Sequence, residues 1–431
     1  MRDAIEKVMP PELKWYDALY VSGRSKPISF KNNRLYSISE SENSGFGIRV
    51  NLAGQTGFSY TNSLDNISDT VKRALQMSSF GDAENFKLPD NTKGSFEPYS
   101  EEINKFNIHD EITIAEKMID DIISVYPQAS IDLGVSSALS EVRLINSNGV
   151  DVSYRESHYG FSVSCTYIMP DGSRIETWES RSELSPVDCS DLKNILIKKI
   201  EDGLAVEKIE SKTYPVLFPP QAFGRLLGFI VSGFSGVSVW KGISPFTDMK
   251  GDLVFNESFT LIDDPLIEGS PYNIPFDGEG LSVSKNYLIK NGVIDTFIND
   301  LKYAERLNMP PTGNAYRGYS SLPSPAFHGI RVQPGEKLSE EIISNIERGI
   351  LAEQFIGLGQ SNTITGDFSA NLALAYLIEN GKIKGRVKDC MISGNIIDLM
   401  KGDFVLSKDL QRKGSSLLPY CLFPGVSLVS S

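Results

Sequence analysis

Histidine is scarce in this 431-residue chain, with only His109, His158 and His328 present. No two of them lie within a helical turn, so no imidazole pair can be set on one helix face to hold zinc. Cysteine is hardly more common. Cys165, Cys189, Cys390 and Cys421 lie far apart, without Cys-x-x-Cys spacing. That excludes a zinc ribbon and a dense disulfide framework, and points to reduced, structural thiols. Cys421 sits in LLPYCLFPG, where apolar neighbours favour a buried, inert thiol over an activated one.

Positive charge is also in deficit. Against 55 acidic residues there are 42 Lys and Arg, leaving a formal net charge of −13. Such a field repels polyanions, and no Lys/Arg cluster builds a basic groove, so direct nucleic-acid contact is not expected. Long apolar runs are missing as well. The most apolar stretch, 226–240, is interrupted by glycine and too short to span a bilayer. The first twenty residues lack a basic segment followed by an apolar one, so a cytoplasmic, membrane-free protein is expected. Dinucleotide and phosphate-loop glycine fingerprints do not occur, nor does a G-x-S-x-G elbow, and the serines of GFSG (233–236) have no histidine nearby.

What is present is ordinary globular material: 40% hydrophobic and 23% charged residues. The length suggests two domains. Residues 1–210 mix strands and helices, and 211–431 form an antiparallel β-rich unit, giving an α+β protein. The boundary is placed where SKTYPVLFPP (211–220) turns abruptly to a β run. Short strands are expected over 28–62 from apolar alternation. Helices are expected over 63–77, 110–126 and 191–209 from 3.6-residue apolar spacing. The stretch 86–106 reads as an exposed connection. Asn148-Gly149 between alternating runs predicts a type I′ hairpin. YLIKNGVI (287–294) and YLIENGKI (376–383) share a second Asn-Gly pattern, which reads equally as a duplicated unit or as independent good hairpins.

Chemistry-bearing residues then reduce to carboxylates and polar loops. Asp263, Asp264, Asp277 and Glu279 fall in turn-rich sequence, where acidic residues are usually turn formers but could serve as bases. PPTGNAYRGYSSLPSP (310–325) is a long polar and aromatic loop, either a binding surface or a plain crossing. Asp367 stands at the mouth of a later strand in a similar setting.

Read in order, GIRVNLAGQTGFSYTNSLD, SNGVDVSYRE, DDPLIEGSPYNIPFDGEG, PTGN, TGDFSANLALAYLIENGKI and SGNIIDLM resemble the TldD/PmbA family over most of the chain. One branch of that family carries a His-Glu-x-x-x-His helix that holds zinc, with the Glu placed to take a proton from metal-bound water. The other, TldE/PmbA-like, lacks it. Laid on that pattern, Gly228 and Gly233 occupy the two histidine positions and Phe229 the glutamate position; LQRKGSSLLPY offers no further ligand, and Cys421 comes too late. The resemblance therefore implies a TldE/PmbA-like subunit with no metal or other cofactor of its own. Its expected partners are a zinc-bearing TldD-like subunit and an extended or unfolded peptide, with a homodimer possible in isolation. It also nominates Asp277, Glu279, Thr312, Gly313, Asn314 and Asp367 as substrate- or partner-facing, with no catalytic residue assigned. Two other readings stay open: a non-enzymatic protein-binding modulator of the gyrase-modulator type, and a metal-independent hydrolase using the carboxylates.

Overall fold

The computed structural model describes residues 2–94, 96–358, 362 and 364–430. The protein is α+β, as expected. Its first sheet contains β1 (Leu13–Lys31), β2 (Arg34–Ile38), β3 (Ser41–Leu52), β4 (Gln55–Thr61), β5 (Ala129–Asn146), β6 (Asp151–Ile168) and β7 (Arg174–Glu183). The order is β4-β3-β1-β5-β6-β7, with β2 hairpinned onto β1 and every pairing antiparallel. Side-chain alternation gives this sheet two distinct faces. Tyr16, Ala18, Phe46, Ile48 and Val50 pack under the helix α2 (Ile67–Met77), together with α1 (Arg2–Glu6). Farther along the same face, Ile28, Ile131, Leu133 and Phe161 pack beneath α3 (Ile108–Val125) and α4 (Ser190–Leu204). The opposite face carries Asp17, Leu19 and Arg49, and is covered by loops from the second half of the chain.

The second sheet is built from strands between Val206 and Ser430. Five of them close on themselves: Asp367–Glu379 pairs Cys390–Asn395, which pairs Ser416–Ser430, then Lys212–Phe218, then Arg348–Ile356, and back to Asp367–Glu379. Closure removes the exposed edges an open sheet would present. This sheet is not purely antiparallel, because Lys212–Phe218 runs parallel to Arg348–Ile356. The barrel and the first sheet share a core, in which Leu217, Leu351, Leu374 and Tyr376 join Leu192, Leu196 and Ile200 of α4.

The helix α5 (Pro220–Ser232) begins with proline in its first turn, where a missing N–H costs nothing. Its apolar stripe, Phe223, Leu226, Leu227 and Ile230, lies in the barrel-side core. A short helix, α6 (Gly236–Trp240), follows, and α7 (Leu301–Leu307) is capped by Asp300, whose Oδ1 accepts the Tyr303 N–H at 2.7 Å.

Two local expectations need correction. The Asn148-Gly149 hairpin forms, but only Gly149 has positive φ (102°), so the turn is not type I′. Asn146 instead accepts the N–H groups of Asn148 and Val150 through its side chain and tightens the loop. The type I′ pattern occurs at Asn291-Gly292 (φ 49° and 79°) and Asn380-Gly381 (51° and 72°), the two echoed segments. The stretch 86–106 is also not simply exposed. Phe86 and Leu88 are buried, and the Phe86 ring centroid is 5.1 Å from that of Trp15.

Candidate functional site

Most of the nominated carboxylates turn inward. Asp17 on β1 takes Nε and Nη2 of Arg49 on β3 at 3.3 and 2.5 Å, and Nη1 of Arg317 at 2.9 Å. The same Arg49 reaches Glu279 Oε1 at 2.9 Å, and Glu279 Oε2 accepts the Leu301 N–H at 2.7 Å. Asp277 accepts the N–H groups of Glu279, Leu281 and Ala315, each at 2.9 Å. Glu279 is wholly buried and Asp277 is 1% exposed. The expectation that these two face substrate or partner is therefore corrected: they pin the 276–281 turn to the sheet and to the 315 segment. Asp263 and Asp264 are equally enclosed.

Burial sets the electrostatics of this seam. It pushes the Asp277 carboxyl up to about 7, assisted by the negative charge of Glu279. Burial likewise raises Glu279, with Arg49 opposing. At Asp17 burial acts in the same direction, but Arg317 and Arg49 together hold its carboxyl below the usual range.

The 312–314 loop is held in the same manner. Thr312 Oγ1 accepts the Asn299 N–H at 2.8 Å and donates to its carbonyl at 3.0 Å. Asn314 is fully buried and donates to Asp263 Oδ2 at 2.6 Å, and Asp263 Oδ1 accepts the His328 N–H at 2.7 Å. Gly313 has φ +72°, and its carbonyl meets His328 Nε2 at 2.7 Å. Asn314 is thus an internal brace, not a surface contact. Asp367 alone of the set is exposed, held by Thr365 and Asn395 at 2.6 and 2.9 Å, which keeps its carboxyl low.

A second locality, formed by α5 and β7, escapes sequence reading. Among the described residues β7 is the outer strand of its sheet, paired only with β6. The bond from Met169 N–H to the Ser173 carbonyl sets the ladder's phase, so backbone groups of residues 174, 176, 178, 180 and 182 point away from β6. Two are claimed: Arg386 donates to the Arg174 carbonyl and Arg412 Nη2 to the Ser182 carbonyl, the latter at 2.9 Å. Between them the outward edge of Glu176, Trp178 and Ser180 meets no other backbone group among the described residues. Beside it lie two adjoining hollows of about 320 and 310 Å³, both lined by Trp178, Gln221 and Arg225. Trp178 is 42% exposed. Arg225 donates to the Phe355 carbonyl at 3.1 Å, with its guanidinium 5.5 Å from the Phe355 ring centroid.

This helix and its C-cap also carry Gly228, Phe229 and Gly233, the three positions that the resemblance sets against the zinc motif. Gly228 is exposed, with open space where a β-carbon would stand. Phe229 is buried in the core, and a β-carbon on Gly233 would sit 2.8 Å from the Phe246 ring. The three positions aim in different directions and carry no donor atom, so they do not fit a zinc ligand set. Cys421 is buried, its thiol pushed far up by desolvation, and all four cysteines are free and buried. Among the described residues no three His, Cys, Asp or Glu side chains are grouped so as to hold a metal ion.

Residues 211–430 match the model of the PmbA/TldA metallopeptidase C-terminal domain, 16–78 that of domain 1, and 101–204 that of the central domain. The chain belongs to the PmbA/TldD family. It is similar to an uncharacterized protein of Methanocaldococcus jannaschii, 29% identical over 423 residues covering 95% of each chain. A Buchnera aphidicola protein named a metalloprotease TldD homolog is 27% identical over 438 residues, covering 95% of this chain and 88% of its own. The fold of this chain is that of the crystal structure of TldE from Thermococcus kodakarensis: TM-score 0.91, 22% identity, covering 100% of this chain and 98% of that one. A candidate modulator of a DNA gyrase from Thermotoga maritima superposes with TM-score 0.89 at 22% identity, over 96% of each chain. In this PmbA/TldD-family chain no helix among the described residues is long and apolar enough to cross a membrane.

Proposed function

We propose that this chain is the TldE/PmbA-type subunit of a TldD/TldE-type peptidase complex in the cytoplasm, with no catalytic zinc of its own. The carrying observation is the cleft in which α5 faces the β7 edge. On its cleft side this helix presents Gln221 and Arg225, and Gly228 lies exposed one turn beyond Arg225. Across the cleft stands an unclaimed stretch of backbone, bounded by two arginine-held carbonyls. An edge of that kind adds an extended peptide through main-chain bonds, giving affinity with little sequence preference. The partner's zinc would supply hydrolysis, and this chain would contribute shape, backbone donors and acceptors, and the Trp178 surface. In this reading residues 1–210 and 211–431 act as two domains, consistent with strands of the first sheet ending at Glu183 and those of the second starting at Val206. Direct contact with nucleic acid has no part in it.

The test is zinc quantification and cleavage of an unstructured peptide, using this chain alone and mixed with a TldD-like relative. Activity confined to the mixture supports the proposal. Stoichiometric zinc with activity in the isolated chain refutes it. Inactivity in both, with the partner's zinc confirmed, transfers weight to a non-enzymatic binding role.

A further inference from the structure

A separate cavity of about 450 Å³ lies between the loop-covered face of the first sheet and the 271–278 and 315–318 segments. Register explains its walls. Val21, Val142 and Tyr154 are cross-strand neighbours on β1, β5 and β6, and Ser140 and Glu156 form the next pair along. The cavity is therefore apolar at one end and carboxylate-bearing at the other. Over it close Tyr272, Phe276 and Tyr316. Phe276 meets Tyr154 edge-on at 5.2 Å, and Tyr316 stands 68% exposed at the rim.

The charges on this wall are unequal in availability. Asp277 has its oxygens taken by three backbone N–H groups. Arg317 is tied to Asp17, and its Nε and Nη2 are buried without a hydrogen-bond partner among the described residues. His158 meets Tyr272 Oη at 3.2 Å, and burial favours its neutral form. Burial pushes the Glu156 carboxyl up, with the Ser140 hydroxyl opposing, and no cation lies within ion-pair distance of it among the described residues, so an arriving ammonium would be the charge that holds it ionised. A half-buried carboxylate without a counter-ion, in a cavity also lined by aromatic residues, is complementary to an organic cation. The carboxylate supplies charge, and ring quadrupoles favour an ammonium over a neutral or anionic group.

We propose that this cavity is a binding site for a primary ammonium carried on an apolar body, with Glu156 as counter-ion and Tyr154, Tyr272, Phe276 and Tyr316 as the aromatic enclosure. The site is distinct from the β7 cleft and stands independently of the peptidase reading.

The experiment is calorimetric titration of the full chain with n-hexylamine, n-hexanol and hexanoate as probes. The expected result is 1:1 binding of the amine, at least tenfold tighter than either other probe. Glu156→Gln should weaken amine binding at least tenfold without lowering the thermal midpoint, and Val142→Phe, which fills the apolar end, should weaken all binding. Equal binding of alcohol and amine, preference for hexanoate, amine affinity unchanged in E156Q, or no amine binding by the wild type would each overturn the proposal.

Discussion

Arg317 Nη1 lies 2.9 Å from Asp17 Oδ1 across 300 residues of sequence, with both side chains sealed from solvent. Because Arg49 shares the carboxylate, Asp17→Ala would strand two buried guanidinium groups, Arg49 keeping Glu279 and Arg317 losing its ion-pair partner among the described residues. Breaking a buried pair in this way costs about 3–5 kcal/mol. Asp151→Ala removes the partner of Arg143, a pair 43% and 37% exposed, and should cost about 0–1 kcal/mol. Denaturant midpoints at unchanged m-value measure both. Equal losses would show that the triad does not couple the sheet to the 315–318 segment.

Two glycines give opposite predictions for the same change. A β-carbon on Gly47 of β3 would fall 1.9 Å from the Tyr319 carbonyl oxygen, where backbone must move. Gly47→Ala is expected to destabilise by about 1–3 kcal/mol or more. Gly228, in the middle of α5, has nothing within 4 Å of that point. Gly228→Ala should stabilise by about 0.5–1 kcal/mol through helix propensity. Thermal midpoints moving in opposite directions are the expected readout.

Asp300 gives the pH dependence. Burial, then the charge of Glu279, raises its carboxyl to about 7, with Arg49 opposing and Glu84 reinforcing. Its Oδ1 caps α7, and its buried Oδ2 has no hydrogen-bond partner among the described residues, so the proton has a place to sit. A folded-state value above the unfolded one means the folded form retains a proton that the unfolded form has lost. This contribution is full below about pH 4 and is lost as pH rises towards 7, at up to about 1.4 kcal/mol per pH unit. Asp300→Asn keeps the cap and removes the titration. Its stability curve should be flatter than wild type between pH 4 and 7, and an unchanged slope would place the titration elsewhere.

The parts legible in the sequence were those governed by local rules. Apolar spacing at Leu64, Ile67, Val71 and Leu75 gave α2, which ends at Met77 as expected but starts at Ile67 and not at 63, and that of Met118, Ile119 and Ile122 gave α3 within two residues of its observed ends. Asn-Gly pairs located hairpins because positive φ is a local requirement, although Asn148 showed that a side chain can satisfy the turn differently. Asp277 and Glu279 were visible as residues but not as interior ones, since Glu279's partner Arg49 lies more than 200 residues away in sequence and Asp277 is held by backbone N–H groups, including that of Ala315. A usable signal did exist: Asp17 in WYDALY and Arg49 in GIRVNL are single charges inside otherwise apolar strands, a pattern that calls for pairing. The β7 cleft had no comparable signal, because the outward phase of a strand depends on which neighbour it pairs with.

That phase supports the most direct test of the cleft. The Ser180 N–H points away from β6, so proline there removes an outward donor and leaves the ladder bonds intact, as edge strands permit. At Thr177 the N–H points inward to Cys165, and proline there breaks β7 itself. Ser180→Pro should therefore fold with a midpoint near wild type while peptide binding or mixed-complex cleavage falls about tenfold, the worth of one or two main-chain bonds. Thr177→Pro should lose stability first. If Ser180→Pro retains full peptide affinity, an extended peptide does not use this edge, and Trp178 and Arg225 lose their assigned role even though the family membership stands.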